Sequence, residues 1–418
     1  MLSLVKTLRD GGLWQDEDVA LVQDWLDDLN SIGYKFPKMS DRDDIIREQL
    51  SLRTNCRPAH VSLQVTESSD RSQRKLDFYQ DLLDWCDATG TEEFCSLMPS
   101  HSIHDAHRNR PALSEKLDTV LIITNNYPWK MGIGLLQRIY QPYFGMTIFC
   151  GTWDRRLYKD NGSFPDIVHP FNFVHLSKSE MAKGALSYYC LTKVAELRLQ
   201  NTKGYFVQSD DTVFNFWKPL KLDKVIHPYG ISYLGRPGAW WYKPHGKQAA
   251  RRVLSLFSKK YRHHMNTTVW EEYKHRLYEY DHITDAAQNL MADDGWIQSD
   301  FYFIPQKEVQ FFASLTEVFF KAGLFIEVAM NKYIRSVASN RFLPYNFTYL
   351  HGKRHHWPQF YREDLVMLHP VKLSQFTNMR NRTAFCSTII RTMGKALVCS
   401  SDEHQQRPVK NNEKEGKK

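Results

Sequence analysis

The chain has 418 residues, of which 42% are apolar and 13% aromatic, a composition typical of a folded globular protein and not of a disordered one. Its 55 basic and 47 acidic residues give a formal charge of +8, a mild excess that favours an anionic ligand. No run approaches the roughly 18 apolar residues of a membrane span, the N-terminal apolar run is too short for a signal peptide, and no nucleic-acid-reading motif accompanies the basic clusters. We therefore expect neither a transmembrane segment in this chain nor a nucleic-acid partner.

The N-terminal part, residues 1–116, is predicted to be a polar helical region. Apolar residues recur at helical spacing between residues 14 and 32, and again between Leu76 and Cys86. Such stripes are typical of helices that pack against a core and carry no chemistry of their own. Pro111 indicates a linker ahead of the next domain.

A change of pattern near residue 117 indicates an α/β domain. Thr119–Asn125 is a β-rich apolar run, a helical stretch follows around Leu135–Tyr143, and Met146–Cys150 is a second apolar run. Strand, helix and strand at this spacing form a βαβ unit, so the sheet is expected to be at least partly parallel. We assign residues 117–373 to this domain.

Further elements follow along the chain. The pattern predicts another strand within Val168–Val174, an amphipathic helix over Glu180–Gln200 and a later helix over Val318–Val337. Residues 374–418 are interpreted as a C-terminal extension, and its charged end from Ser400 is expected to be disordered because it lacks apolar anchors.

Two adjacent carboxylates, Asp210 and Asp211, follow the short apolar strand predicted over Tyr205–Val207. In open α/β sheets ligands bind beyond the carboxyl ends of the strands, and hard divalent cations prefer oxygen ligands. The pair therefore predicts a Mn²⁺ or Mg²⁺ site that holds a diphosphate, with both carboxylates at the surface and outside the core. A solvated turn after a strand is the alternative.

The first predicted strand ends in the small polar residues Thr124, Asn125 and Asn126. In a nucleotide-binding sheet the first turn after a strand meets the base or the ribose, so these residues are candidate nucleotide contacts. A turn that simply uses asparagine for its geometry is the alternative. The nearby glycines, Gly132 and Gly134, are too few for a phosphate-cradling loop, so a dinucleotide-binding or P-loop protein is not indicated.

The order of these parts resembles the A-type (GT-A) fold of nucleotide-sugar glycosyltransferases. The resemblance covers about residues 117–373 and includes the βαβ unit, the acidic pair, the glycine-containing segment Gly235–Trp241 and a late histidine. It implies a mixed, mainly parallel, Rossmann-like sheet with flanking helices, a nucleotide diphosphate sugar donor and a Mn²⁺ or Mg²⁺ cofactor.

The family's metal-binding Asp-x-Asp motif corresponds here to Ser209-Asp210-Asp211, with serine in the first position. The resemblance gives Asp211 the metal role and Asp210 a shared metal or ribose role. His369, at the end of an apolar run, matches the late histidine that often completes the metal site. A core or turn histidine is the alternative.

The basic segment before His369 is a candidate lid. Lys353 and Arg354 would clamp the pyrophosphate leaving group while Trp357 closes over it and excludes water. A solvated basic loop is an equal alternative.

Glu327 stands alone in an apolar helical segment, so it must be paired, protonated or functional. We interpret it as a catalytic base or as a group that orients the acceptor. A buried salt bridge is the alternative, and Asp300 is the alternative base.

Together these features predict transfer of a sugar from a nucleotide diphosphate donor to a hydroxyl of a glycan, protein or lipid. The alternatives are a degenerate member that binds a nucleotide sugar or a partner without turnover, and a basic scaffold that binds polyanions. Four glycosylation sequons and the resemblance favour the secretory-pathway lumen, with the Golgi as the expected compartment. The odd number of cysteines, seven, leaves at least one thiol outside any intramolecular disulfide.

Overall fold

A computed structural model describes residues 69–87, 111–129, 132–153, 166–228, 241–260, 265–338, 345–372, 376 and 379–399. All of these residues belong to one compact unit, Val61–Lys418. The helix predicted between residues 14 and 32, most of the glycine-containing segment Gly235–Trp241 and the charged tail lie outside the described residues, and the domain boundaries at 116 and 373 stay predictions.

The helices, numbered in chain order, are α1 (Ser69–Asp87), α2 (Pro111–Leu117), α3 (Ile133–Tyr140), α4 (Lys178–Met181), α5 (Tyr189–Ala195), α6 (Ala249–Ser255), α7 (Met265–Asp281), α8 (Ala286–Met291), α9 (Gln306–Ala322), α10 (Ile326–Ile334), α11 (Trp357–Phe360), α12 (Met379–Phe385) and α13 (Arg391–Gly394). The strands are β1 (Thr119–Trp129), β2 (Met146–Trp153), β3 (Asn172–His175), β4 (Gly204–Ser209), β5 (Val213–Phe214), β6 (Phe301–Pro305), β7 (Phe347–Tyr349) and β8 (Met367–His369). None of the described helices is long and apolar enough to cross a membrane.

The strands form two sheets. The larger has the order β3-β2-β1-β4-β6, in which the first four strands are parallel and β6 runs antiparallel to β4. The smaller has the order β5-β8-β7, with β8 antiparallel to β5 and parallel to β7. This arrangement confirms the predicted mixed, mainly parallel α/β fold with flanking helices.

The larger sheet is covered on both faces. Val120 and Ile122 of β1 pack into a core with helices α5 to α10, whereas Leu121 and Ile123 pack into a second core with α1, α3 and the C-terminal helices. Successive side chains of a strand point to opposite faces, so a strand buried on both faces needs an uninterrupted apolar run. The apolar run that predicted β1 is the result of this double burial.

The helix predicted over Glu180–Gln200 is wrong as a single element. The chain forms α4, capped by Ser177, and α5, and between them Ala182 and Lys183 have left-handed backbone angles that no helix can contain. The helix predicted over Val318–Val337 is also two helices. Gly323, with φ of 67°, ends α9 and lets α10 start in a new direction.

Within the part of the chain that the structure describes, two disulfides join distant segments. Cys86 of α1 is bonded to Cys386 beside α12, and Cys150 of β2 is bonded to Cys190 of α5. Such bonds restrict the unfolded chain and persist in oxidising compartments. They fix α1 to the C-terminal helices and the parallel sheet to one of its covering helices.

Gly204 is the first residue of β4, and the space beside its Cα cannot hold a side chain. A Cβ atom at this position would lie 2.5 Å from the Ile304 carbonyl oxygen and 2.8 Å from the Pro305 Cα of the neighbouring strand β6. Because these are backbone atoms of a buried sheet, we expect Gly204→Ala to lower the free energy of unfolding by about 3 kcal/mol, as measured by urea denaturation.

Gly323→Ala is the matched control for this substitution. It places a methyl group on another positive-φ glycine, but the nearest atoms are 3.6 Å away, so only the conformational cost of about 1 kcal/mol is expected. Equal losses in the two variants would contradict the steric explanation.

Candidate active site

Polar residues of three strands meet near one edge of the larger sheet. Strand β4 ends there beside Thr124, β1 continues past that point to Trp129, and β6 begins there because it runs in the opposite direction. Thr124 pairs with Ser209, the Ser209 amide donates to the Asp300 carbonyl at 2.9 Å, and the Asp210 amide donates to the Thr124 carbonyl at 2.8 Å. The topology thus brings together predicted site residues that are far apart in the sequence. Thr124 and Asp300, the most distant of them, are 176 positions apart.

The smaller sheet adds His369 to this edge. Strand β5 directly follows the acidic pair and pairs with β8, which ends at His369, and the Val371 amide donates to the Asp211 carbonyl at 2.6 Å. This segment covers Asp211, whose exposed fraction is only 5%. The expectation that Asp211 lies at the surface is therefore wrong, because the strand that carries the late histidine packs over it.

The Asp211 carboxylate is the most connected group of the site. It accepts a hydrogen bond from the Ser209 hydroxyl at 2.8 Å, and its second oxygen pairs with the Lys372 ammonium. His369 Nε2 lies 3.2 Å from the Asp211 carboxylate and 3.4 Å from that of Asp300. One imidazole nitrogen therefore faces two carboxylates that come from different strands.

These contacts shift the pKa values of the two neighbouring aspartates in opposite directions. Burial tends to raise the pKa of Asp211, but the positive charges of His369 and Lys372 outweigh it and hold that pKa below its usual range. For Asp210, burial and the charge of Asp211 raise the pKa to about 8. Burial lowers the pKa of His369, but Asp300 and Asp211 more than compensate and raise it. Asp211 is thus held as an anion, whereas the neutral form of Asp210 is favoured at pH 7.

Side chains of the types that bind divalent cations meet at this edge. Within the described residues, no group of three or more His, Cys, Asp or Glu side chains is already arranged as a metal site. Ligands at right angles with bonds of about 2.1 Å lie about 3 Å apart, however, and His369 Nε2 lies at 3.2 and 3.4 Å from two carboxylate oxygens. Two oxygens and an imidazole nitrogen are also the donor types that Mn²⁺ accepts.

A cavity of about 170 Å³ adjoins these groups. Hydroxyl, carboxyl and ammonium side chains share its wall with apolar ones. It is lined by Thr124, Lys183, Gly184, Ala185, Ser187, Val207, Ser209, Ser299, Asp300, Phe325, Ile326 and Glu327. A polar cavity with several hydroxyl and carboxyl groups can hydrogen-bond a polyhydroxylated ligand.

Glu327 lies in the first turn of α10 and lines this cavity. Its Oε2 atom is buried without a hydrogen-bond partner, and burial, together with the charge of Asp300, raises its pKa well above the usual range. Among the described residues no basic side chain forms an ion pair with it, so the buried salt bridge considered from the sequence is not found there. An unpartnered buried carboxyl in a cavity is a candidate functional group.

The remaining predicted residues lie in two places. Asn125 is buried on β1 beside Thr124, and Asn126 follows it, with a side chain outside the described set. Lys353 and Arg354 are exposed on a short 3₁₀ turn.

Trp357 starts α11 and is 3% exposed, with its ring 6.4 Å from both the Phe376 and the Phe385 rings. Closing over a ligand would require this ring to leave the core. The lid role of the basic segment stays a prediction.

Sequence reasoning missed two residues of the site. Lys372 neutralises Asp211. A buried carboxylate needs a counter-charge, and Lys372 lies three residues after His369, so the sequence did contain a signal for this lysine. Tyr349 pairs with His369 across β7 and β8, and the centroids of their rings are 5.3 Å apart. The three-residue strands that place Tyr349 there are too short to show a period in the sequence.

The opposite pKa shifts of the acidic pair predict opposite effects of the same substitution. Asp211→Asn removes the anion between Lys372 and His369, so we expect the free energy of unfolding at pH 7 to fall by about 2 kcal/mol.

Asp210→Asn is the matched control. The folded-state pKa of Asp210 lies above its unfolded value, so its ionisation lowers stability as the pH rises through that interval, and a neutral amide removes this cost. Urea denaturation should therefore show Asp210→Asn to be as stable as the parent or more so, and the reverse order would contradict the charge assignment.

The family model described as STELLO glycosyltransferases matches residues 1–301, which is more than half of the chain and includes Asp210, Asp211 and Asp300. No curated protein and no solved structure matches the chain. The chain therefore belongs to the STELLO glycosyltransferase family, and glycosyl transfer is the activity that this membership supports.

Proposed function

We propose that the protein transfers a sugar from a nucleotide diphosphate donor to a hydroxyl acceptor, with the help of a divalent metal and in the manner of GT-A enzymes. The observation that supports this most directly is the meeting of Asp211, Asp300 and His369 beside a cavity lined with hydroxyl groups. Membership of a glycosyltransferase family supplies the reaction class.

Residues near the strand ends would each bind a different part of the donor. Asp211, Asp300 and His369 would hold Mn²⁺ or Mg²⁺, which neutralises a diphosphate and stabilises the leaving group as it departs. Thr124 and Asn125, on β1 next to the end of β4, would contact the base or the ribose.

Two further sets of side chains complete the donor assignment. Burial and the charge of Asp211 raise the pKa of Asp210, and in its protonated form Asp210 can donate a hydrogen bond to a ribose hydroxyl. Lys353 and Arg354 remain candidates for the leaving diphosphate.

Glu327 is the proposed base on the acceptor side. A base must reach the hydroxyl that it deprotonates, and Glu327 Oε2 has no hydrogen-bond partner among the described residues while Glu327 lines the cavity. Its raised pKa makes it a strong proton acceptor once ionised. Asp300 lines the same cavity but already faces His369, so we assign it to the metal side first.

The disulfides support a lumenal setting for this reaction. Cys86–Cys386 and Cys150–Cys190 join positions that a reducing compartment would keep as thiols. We propose that the protein works in the lumen of the secretory pathway, with the Golgi as the compartment and a glycan, protein or lipid as the acceptor.

A binding screen tests the donor assignment. Nucleotide diphosphate sugars are added to the protein with and without Mn²⁺, and thermal stability is recorded. A ligand at 100 times its dissociation constant adds about 2.7 kcal/mol of stability, so the true donor should raise the melting temperature clearly, and only with metal. His369→Ala should abolish the metal-dependent part.

Three results would contradict the proposal. Donor binding in the screen without metal-dependent hydrolysis of the donor in a separate turnover assay would identify a degenerate transferase. Metal-independent binding of unrelated polyanions that weakens steeply with salt would identify a basic scaffold. An unchanged response of His369→Ala to metal would remove this residue from the metal site.

The second test concerns the base. Glu327→Gln keeps the shape of the side chain but cannot accept a proton, so we expect kcat to fall at least ~100-fold with little change in KM for the donor. In the parent enzyme, kcat/KM should rise with pH as Glu327 loses its proton. Glu308→Gln is the control, because Glu308 is buried in the same core but ion-paired with Arg276. Equal kcat in the Glu327→Gln variant and the parent would exclude this base.

A further inference from the structure

The wall of the cavity contains a backbone turn that side chains rarely adopt. Ala182 and Lys183 have φ values of 43° and 55°, and Gly184 follows with φ of 88°. Glycine adopts this left-handed conformation readily, but the Cβ of any other residue collides with the backbone, so two such residues in succession are unfavourable.

The surrounding structure holds this turn in place. Before it, Ser177 and Glu180 cap α4 reciprocally, and Met181 is buried. After it, the Ala185 carbonyl accepts a hydrogen bond from the Ile326 amide at 2.8 Å, at the start of the helix that carries Glu327. A strained backbone that several surrounding contacts hold in place is found mainly at functional sites.

Lys183 is the charged side chain that this turn presents. It lines the cavity together with Ser209, Asp300 and Glu327, and it is exposed, which places it on the solvent side. Among the described residues it has neither an ion pair nor a side-chain hydrogen bond. Lys372, in contrast, is occupied by Asp211.

We propose that Lys183 binds a phosphate oxygen of the donor diphosphate and that the strained turn exists to position it. This inference rests on the proposed function, since it requires a diphosphate beside Asp211. A lysine ammonium binds phosphate as a point charge, and Ser209 and Asp300, which border both the cavity and the metal-side groups, put the two regions in contact. The left-handed turn places Lys183 in the wall of this cavity.

Calorimetric titration of the full chain with pyrophosphate and Mg²⁺ tests the contact without a choice of base or sugar. We expect Lys183→Ala to weaken pyrophosphate binding about tenfold and Lys183→Arg to retain affinity within about threefold, because the charge is kept. Lys178→Ala is the matched control: this lysine is exposed on α4 but does not line the cavity, and its loss should change nothing.

Lys183→Gly separates the ligand contact from the strain. It should lose pyrophosphate affinity as Lys183→Ala does, yet melt about 1–2 °C above the parent, since glycine relieves the left-handed backbone. Parent-like pyrophosphate affinity in Lys183→Ala would overturn this inference and leave the proposed function intact. Failure of the parent protein to bind pyrophosphate would overturn the donor assignment together with this contact.

Discussion

The buried Asp211 carboxylate is the interaction on which the site depends, because it joins the two sheets through charge. It follows β4 of the larger sheet, whereas its partners His369 and Lys372 come from the end of β8 in the smaller one. Neither sheet could bury its own charges here alone, since an unpaired buried ion is costly. The same contact therefore closes the core and orients an imidazole toward a second carboxylate, Asp300.

Two neighbouring aspartates acquire different chemistry from this arrangement. Asp211 gains both cationic partners, which lower its pKa, while the charge of Asp211 and desolvation raise the pKa of Asp210. Separation of pKa values between adjacent carboxyl groups suits them to different tasks. Ser209, the first residue of the Ser209-Asp210-Asp211 tripeptide, also has a task, since it donates a hydrogen bond to Asp211.

The sequence predicted the parts of the fold that have a strong local pattern. The βαβ unit, β4 and the acidic pair were recognisable because doubly buried strands require continuous apolar runs. The break between α4 and α5 was not, since the chain leaves the helix at Ala182 and Lys183, residues that give no warning of left-handed angles. Gly323 did carry a signal, as glycine commonly ends helices, but the apolar stripe continued past it.

The sequence predicts candidate residues for the site but not their arrangement. Glu327 stands alone in an apolar segment and Asp300 follows an acidic one, and both line the cavity. The burial of Asp211 and its pairing with Lys372 could not be foreseen, because they depend on β5 and β8, which are two and three residues long and too short to show a period.

The disulfide between Cys86 and Cys386 has a consequence for biosynthesis. Its two cysteines are 300 residues apart, and everything between them includes both sheets. During translation Cys86 emerges from the ribosome long before its partner does, so the bond can only close after the strands have been synthesised. Until then α1 is held by non-covalent contacts, among them the ion pair between Asp81 and Arg138, and the Cys86 thiol is available to oxidoreductases that form or rearrange disulfides. The native bond can therefore form only after residue 386 has been synthesised, and a chain that stalls earlier lacks it.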